Sequence, residues 1–363
     1  MKHTAYQKQT NNFEKIKDIP TELLYGTVPK HPVFLTIILI TCQRFGYFTE
    51  AVASILKQKK VDFVWDIVVM DNDADFENTQ KQTWISSLHC KRIRYYKNTQ
   101  NLGHEGNINR GAQLTDAVWI SILHDDDLLA DNYLQLISQY IKACANFKKP
   151  LAYIRPRHLY FKDRSEIVKN GFARDIEHTR WIRPLTMAEC LVKGCGPTYI
   201  NSCGTLIRRD VFLKAGGYDK SYDPIGDAVF GLSLMQNYTV IASGRVLGFY
   251  RRSQGASMKK ETMLRLLQAD YDLREYFYSL STVGKVFGKV FRRTQFTLSV
   301  ARMKKNAQLA HFEIPREEIE EIGDLEQGVF KAFFKKELLR GIRILVMLRV
   351  NPSQLIWREK WIA

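Results

Sequence analysis

Three observations predict an α/β fold built on a mostly parallel sheet flanked by helices. Continuous apolar runs, of the kind buried on both faces of a parallel sheet, recur between residues 33 and 124. The segments between them place apolar residues at helical spacing. Two of the runs end in acids, at the strand ends where open α/β sheets bind ligands.

Residues 1–31 are polar and charged, with Pro20 and Pro29 near their end, and read as an N-terminal extension holding at most a short helix and no core. Phe34–Ile40 is the first strand, Thr41-Cys42-Gln43-Arg44 the loop after it, and Val52, Ile55 and Leu56 mark a helix face. Asp66–Asp71 is a second strand. A helix follows over about Glu77–Leu88, then a short strand at Ile93–Tyr96. Asn101–His104 opens a helix through Leu114, and Ala117–Leu123 is the strand that leads into His124-Asp125-Asp126-Asp127. Asp131 caps a helix with Leu134, Ile137, Ile141 and Cys144 on one face. Further strands are read at Leu151–Arg155 and Thr205–Arg209, then a helix capped by Asp210 and stopped at Gly216-Gly217. Gly226-Asp227-Ala228 begins a helix to about Gln236, and Thr239–Ala242 and Val246–Tyr250 are two short strands. From about Lys259 the pattern is helical only. The expected division is an extension (1–31), a catalytic domain (32–258) and a C-terminal helical, basic appendage (259–363).

The 363 residues carry a formal net charge of +16, which favours anionic partners: nucleic acid, anionic lipid or anionic small substrates. No zinc, RRM or helix-turn-helix signature supports nucleic acid. The six cysteines form no CxxC pair and read as reduced thiols of a cytosolic protein. No signal peptide is visible, and the longest apolar runs fall short of a membrane span.

Three adjacent carboxylates at Asp125–Asp127 repel one another and must be hydrated or meet a cation. Oxygen ligands suit Mg2+ or Mn2+ held jointly with substrate phosphates. The plainer reading is an acid-rich helix cap on a solvated turn. Asp71 alone could be a turn residue, and Asp227 alone a helix cap.

Their order and spacing resemble family 2 glycosyltransferases of the GT-A fold, over about Val33–Ser257. Thr36–Arg44 is similar to that family's opening strand and nucleotide-side loop. Ile67–Asp73 is similar to its second strand with the base-contacting acid. Asn101-Leu102-Gly103 with Asn107, Asn109 and Gly111 resembles the Asn-x-Gly segment, and His124–Asp127 stands at the DXD position. Gly204–Phe212 with Gly216–Asp219 resembles the acceptor-side segment, and Ile225-Gly226-Asp227-Ala228 stands where the family places its catalytic base. The resemblance implies an inverting transferase acting on a nucleotide-diphosphate sugar, UDP-linked by preference, with Asp227 as general base. It implies donor contacts from Thr41, Arg44, Asp71, Asn101, Asn109 and Asp125, and an Mn2+ or Mg2+ ion on Asp126 and Asp127. The acceptor would be a glycan or a lipid-linked glycan in cell-surface polysaccharide synthesis. There are departures. Either His124 replaces the first DXD acid or the frame is Asp125-x-Asp127, Gly226 replaces the acid before the catalytic Asp, and the later Arg-x-His element reads Arg251-Arg252-Ser253, without a histidine.

A base on the acceptor hydroxyl typically contributes about 100- to 10,000-fold. The departing diphosphate needs cationic neutralisation, for which Arg251 and Arg252 are candidates, though either could be a solvated strand-end charge. A nucleotidyltransferase would also use strand-end acids with metal, but would want a Gly-rich phosphate loop that is missing near the first strand. A non-catalytic sugar-nucleotide or glycan binder remains the reading if Asp227 is not a base.

Residues 327–363 hold eight Lys/Arg against two Glu, interleaved with Phe330, Phe333, Phe334, Leu338, Trp357 and Trp361. This pattern suits an interfacial helix on anionic lipid, and so a cytoplasmic protein peripheral on the inner face of the plasma membrane. Its alternative is a helix packed on the catalytic domain with a solvated basic face.

Overall fold

The computed structural model describes residues 10–169, 182–192, 202–252 and 259–349. Its strands are β1 (Thr21–Tyr25), β2 (Leu35–Thr41), β3 (Trp65–Asp71), β4 (Ile93–Asn98), β5 (Trp119–His124), β6 (Leu128–Leu129), β7 (Leu151–Phe161), β8 (Ile182–Pro184), β9 (Thr205–Arg208) and β10 (Thr239–Arg251). Its helices are α1 (Phe45–Leu56), α2 (Gln80–Ser87), α3 (Gly103–Gln113), α4 (Tyr133–Ala143), α5 (Arg164–Lys169), α6 (Met187–Val192), α7 (Arg209–Lys214), α8 (Gly226–Leu234), α9 (Lys260–Ser279), α10 (Thr282–Leu309), α11 (Arg316–Glu320) and α12 (Val329–Arg349).

The strands form one sheet in the order β1-β4-β3-β2-β5-β9-β7-β10-β6, with β8 also on β10. The block β4-β3-β2-β5 is parallel, as is the β7–β10 pair. β9 enters between β5 and β7 antiparallel to both, so the sheet is mixed in its second half. Every residue of β2 and β3 is buried. Their side chains alternate between two cores, as a pleated strand requires. Ile37, Leu39, Ile67 and Val69 enter one core, with Phe48 and Ile55 of α1. Ile38, Ile40, Val68 and Met70 enter the other, with Ile108 and Ala112 of α3. Gly111 lets α3 approach closely, since a Cβ there would meet Ile38 Cγ2 at 2.6 Å.

The N-terminal stretch departs from the expected coreless extension. β1 pairs antiparallel with β4, capping the sheet edge, and Phe13 and Ile16 are buried. The two strands read near the end of the catalytic region are one strand, β10, whose register against β7 shifts between Ala242 and Val246. The strand read at Leu151–Arg155 runs on to Phe161.

The C-terminal helices are more than an appendage. α9, α10 and α11 share a small core of Met263, Leu267, Phe296, Val300 and Ile319. Ala269 of α9 is part of the core on the α3 side of the sheet. Leu339 of α12 packs with Phe291 of α10 and Val192 of α6.

Candidate active site

The strand register sets the site. Thr41 pairs with Asp71, and Ile40 with His124, so β2, β3 and β5 end at one level and their loops share one edge. Above that edge lies a cleft of about 570 Å³. Its floor is Thr41, Cys42, Arg44, Asn72, Asn101, Asp125 and Asp126. Its far wall is Ser202 and Asp227, with Thr262 and Arg265 from α9 and Arg302 and Asn306 from α10.

The acidic loop is tightly held. Asp125, 1% exposed, accepts hydrogen bonds from Thr41 Oγ1 (2.8 Å) and the Cys42 N–H (3.2 Å). Arg44 spans Asp125 (2.7 Å) and Asp126 (2.5 Å), supplying the cation that adjacent carboxylates require. Burial still raises the Asp125 pKa to about 6, against the pull of Arg44. Asp127 is fully enclosed. Its Oδ1 accepts the Arg251 N–H at 3.0 Å, and its Oδ2 is buried with no strong donor, the Cys203 thiol being the one other donor on this carboxylate among the described residues. Burial and the Asp126 charge push its pKa well up, against the Arg251 N–H and that thiol. A buried carboxylate so sparsely hydrogen-bonded fits a cation, and His124, Asp126 and Asp127 bring ligand atoms within 4.8 Å of one another. The donor set fits Mn2+ or Mg2+.

Asp227 sits in the first turn of α8. Its Oδ1 accepts the Ala228 N–H (2.7 Å) and its Oδ2 the Ser202 hydroxyl (3.1 Å). Burial raises its pKa to about 6, opposed by His104 and these two donors. A carboxylate near 6 is ionised at neutral pH yet basic enough to take a proton.

Other expected donor contacts are placed differently. Asp71 is off the cleft wall. Its carboxylate binds buried Lys81 (3.1 Å) and the Tyr95 hydroxyl (2.6 Å), so the interior holds its charge. Asn109 is also off the wall. Its amide donates to the Tyr218 carbonyl and accepts the Tyr218 N–H, both at 2.8 Å, fastening the loop after α7. Gly217 precedes that bond at φ +72, where a Cβ would strike Asn109 Oδ1 at 2.5 Å. Asn101 lines the cleft but also accepts from Asn72 and the Gly103 N–H, both at 2.8 Å.

The two arginines split in role. Arg251 is buried between the rings of Tyr47 and Phe161, paired with Glu50 (2.7 Å), and donates to the Asp126 carbonyl (2.9 Å). It holds the acidic loop. Arg252 lies over the Tyr160 ring, 3.3 Å from its centroid, and reaches Asn306 on α10 at 3.3 Å. Ser253 lies outside the described residues.

Sequence reasoning missed Asn72, His104, Glu105, Ser202, Arg265 and Arg302. Asn72 links the Asn101 loop to Asn98 and the Leu102 N–H. Arg265 pairs with Asp223 at 2.8 Å. The arginines of α9 and α10 carry no local pattern that separates them from ordinary surface charges.

Residues 36–215 match the family model of glycosyl transferase family 2. The chain belongs to that family. An uncharacterized glycosyltransferase of Mycoplasma genitalium is 25% identical over 111 residues, which are 29% of this chain and about a third (36%) of that relative's length. Among solved structures, TarS 1-349 of S. aureus in complex with UDP-GlcNAc superposes with a TM-score of 0.50. Its identity is 13%, over 80% of this chain and 83% of that one. The mannosyltransferase PcManGT of Pyrobaculum calidifontis, in complex with GDP-Man and Mn2+, gives a TM-score of 0.49 at 12% identity, over 85% and 83%. The fold is that of GT-A glycosyltransferases, a central sheet flanked by helices. The family membership supports a transferase.

Proposed function

We propose that the chain is an inverting glycosyltransferase that moves a sugar from a nucleotide diphosphate to a hydroxyl of a glycan or lipid-linked acceptor. The observation that carries this reading is Asp227. It is a half-buried carboxylate raised to about 6, facing the acidic loop across one cleft. Thr41, Arg44, Asn101 and Asp125 line the donor half, and Asp126 and Asp127 would hold Mn2+ or Mg2+. A bound divalent ion supplies charge neutralisation for the diphosphate.

The protein's residues do the rest. Arg251 fixes the acidic loop, so that Asp125 and Asp126 line the cleft, with Asp127 buried behind them off its wall. Arg44 and Arg252 offer guanidinium groups to the phosphates. Ser202 and the Ala228 N–H hold the Asp227 carboxylate in one orientation, and Asp227 accepts the proton of the attacking hydroxyl. Oxygen attack on the anomeric carbon and departure of the nucleoside diphosphate on the opposite face invert that centre.

A role in cell-surface polysaccharide synthesis at the inner face of the membrane is part of this proposal. It is supported by α12, where exposed Phe333 and Phe334 lie among exposed Lys331, Lys336 and Arg340. Among the described residues no helix is long and apolar enough to cross a membrane, so such contact would be interfacial. Trp357, Trp361, Arg358 and Lys360 lie outside the described residues.

A thermal-shift screen of nucleotide sugars, with and without Mn2+, tests the donor. UDP-sugars come first, as UDP-GlcNAc is the ligand of the TarS complex. The right donor should raise the melting temperature by mass action, and only with the cation. No shift with any nucleotide sugar would refute the reading.

A further inference from the structure

Among the described residues, nothing covers an apolar stripe on the first half of α10. Val283, Val286 and Val290 are 75%, 57% and 41% exposed. At 3.6 residues per turn they fall within about 60° of one another. α12 runs antiparallel beside this helix. Lys335 and Thr294 both bond Oε2 of Glu326, at 3.0 and 2.9 Å, and Leu339 and Ile342 reach the cluster of Phe291 and Phe287. Exposed Phe334 and Leu338 lie about 90° round α12 from that contact, on the flank that turns the same way as the valines. The two helices thus present one apolar face, which a chain rarely leaves to water.

The charge on these helices selects the occupant. α10 has four Lys and three Arg and no acid, and α12 has three Lys and three Arg against one Glu. Lys289 and Arg293 flank the valines on one side, and Arg340 stands on the outer flank of α12. The acids that border the face are neutralised, Asp324 by Arg293 at 2.8 Å and Glu337 by Arg340 at 3.5 Å. Acidic α11 packs on the other half of α10, through Ile319 against Phe296 and Val300. A second copy of the chain would bring two acid-free, basic helices together. Nucleic acid would leave the valines without a partner. An anionic bilayer satisfies both features: the apolar side chains enter the headgroup boundary, and the long basic ones reach the headgroups from the flanks.

We propose that α10 and α12 together form the protein's contact face for an anionic lipid surface, with the cleft on the opposite side of α10. The proposal rests on the membrane reading of α12 and goes beyond it, because α10 is also a wall of the cleft. Ser299, Arg302 and Asn306, which line the cleft, lie about 160° round the helix from the valines. Lipid and cleft are therefore separated by the thickness of one helix, about 10 Å. An acceptor anchored in the bilayer must raise its hydroxyl by about that distance to meet Asp227. This fits an extended headgroup, and not a sugar lying at the lipid surface.

The test uses the full chain and vesicles of equal parts phosphatidylglycerol and phosphatidylcholine. Co-sedimentation gives the affinity, and carbene labelling from a water-soluble diazirine, read by mass spectrometry, maps the face. Vesicles should shield Val283, Val286, Val290 and Phe334 severalfold and leave Ser299, Arg302 and Asn306 labelled as in the free protein. Val286→Asp/Val290→Asp should bind at least about tenfold more weakly at an unchanged melting temperature. Val64→Asp, at a 67% exposed valine elsewhere, should bind as wild type does. Vesicle binding with the α10 valines still labelled would overturn the α10 face and leave α12 alone at the lipid. Shielding of Arg302 and Asn306 together with the valines would overturn the orientation. A dimer in light scattering without vesicles, abolished by Val286→Asp/Val290→Asp, would make the occupant a second copy and overturn the lipid assignment. Wild type that binds no vesicles would overturn the membrane reading as a whole and leave the transferase reading standing. The wild-type footprint decides even where a variant fails to fold.

Discussion

Asp227→Asn should abolish transfer and at the same time stabilise the fold. The carboxylate's ordinary pKa is 3.8, and burial lifts it to about 6 in the folded protein. The folded state therefore holds this proton more tightly than the unfolded chain. Wild-type stability falls as pH rises from about 4 to about 6, and the full cost is present above that window. A gap of about two pH units corresponds to about 3 kcal/mol as an upper bound, at about 1.4 kcal/mol per unit. Asn keeps the shape, can still accept the Ala228 N–H and can meet the Ser202 hydroxyl, but carries no charge to desolvate. Urea denaturation should thus find the variant more stable by about 1–3 kcal/mol at pH 7.5, with the difference closing near pH 4. Transfer should drop by about 100- to 10,000-fold while nucleotide affinity is kept. A variant no more stable than wild type at pH 7.5, or a difference that persists at pH 4, would refute the strained-carboxylate reasoning. Loss of nucleotide affinity would refute the assignment to the acceptor side.

Further outcomes follow from the same geometry. The rate profile kcat/KM against pH should fall tenfold per unit below about 6, because Asp227 must be ionised to accept the proton; a profile flat down to pH 5 would contradict this. Arg251→Met should cost about 3 kcal/mol or more in urea denaturation, since it leaves Glu50 and the acidic loop without their buried partner, whereas Arg252→Met should stay within about 1 kcal/mol. UDP affinity measured by calorimetry should fall sharply in EDTA; equal affinity would remove the metal role of Asp126 and Asp127. Phe333→Ser/Phe334→Ser should reduce co-sedimentation with anionic vesicles without lowering the melting temperature, and 1 M salt should weaken wild-type binding, as the Debye length shrinks to about 3 Å. Wild type left in the supernatant with both anionic and neutral vesicles would end the membrane reading.

The buried strands were readable because continuous apolar runs have few other uses, and the acids at their ends marked the edge that carries the cleft. β1 was not readable. Thr-Glu-Leu-Leu-Tyr joins the sheet edge through backbone bonds to β4, which ask little of side chains. β10 looked broken because Ser243-Gly244-Arg245 interrupts its apolar pattern, while the ladder carries through with a shifted register. In the site, one-dimensional order showed which residues lie on the loops but not which way they turn. Asp71 and Asn109 are spent on interior bonds, and Arg251 and Arg252, adjacent and chemically identical, point to opposite tasks. His104 became informative only beside His124, a pairing across 20 residues that no periodicity encodes.

The wall that α9 and α10 give the cleft has a consequence for divergence. The cleft floor from Thr41 to Asp126 lies inside the family segment 36–215, whereas Thr262, Arg265, Arg302 and Asn306 lie beyond it. Two regions of the chain thus line one cavity, one inside the family segment and one beyond it. Those two helices keep their own small core, and Ala269 of α9 also joins the core on the α3 side of the sheet. On the proposed function, a change at Thr262, Arg265 or Arg302 would alter the acceptor side, while Arg44 and Arg251 keep their bonds to the acidic loop.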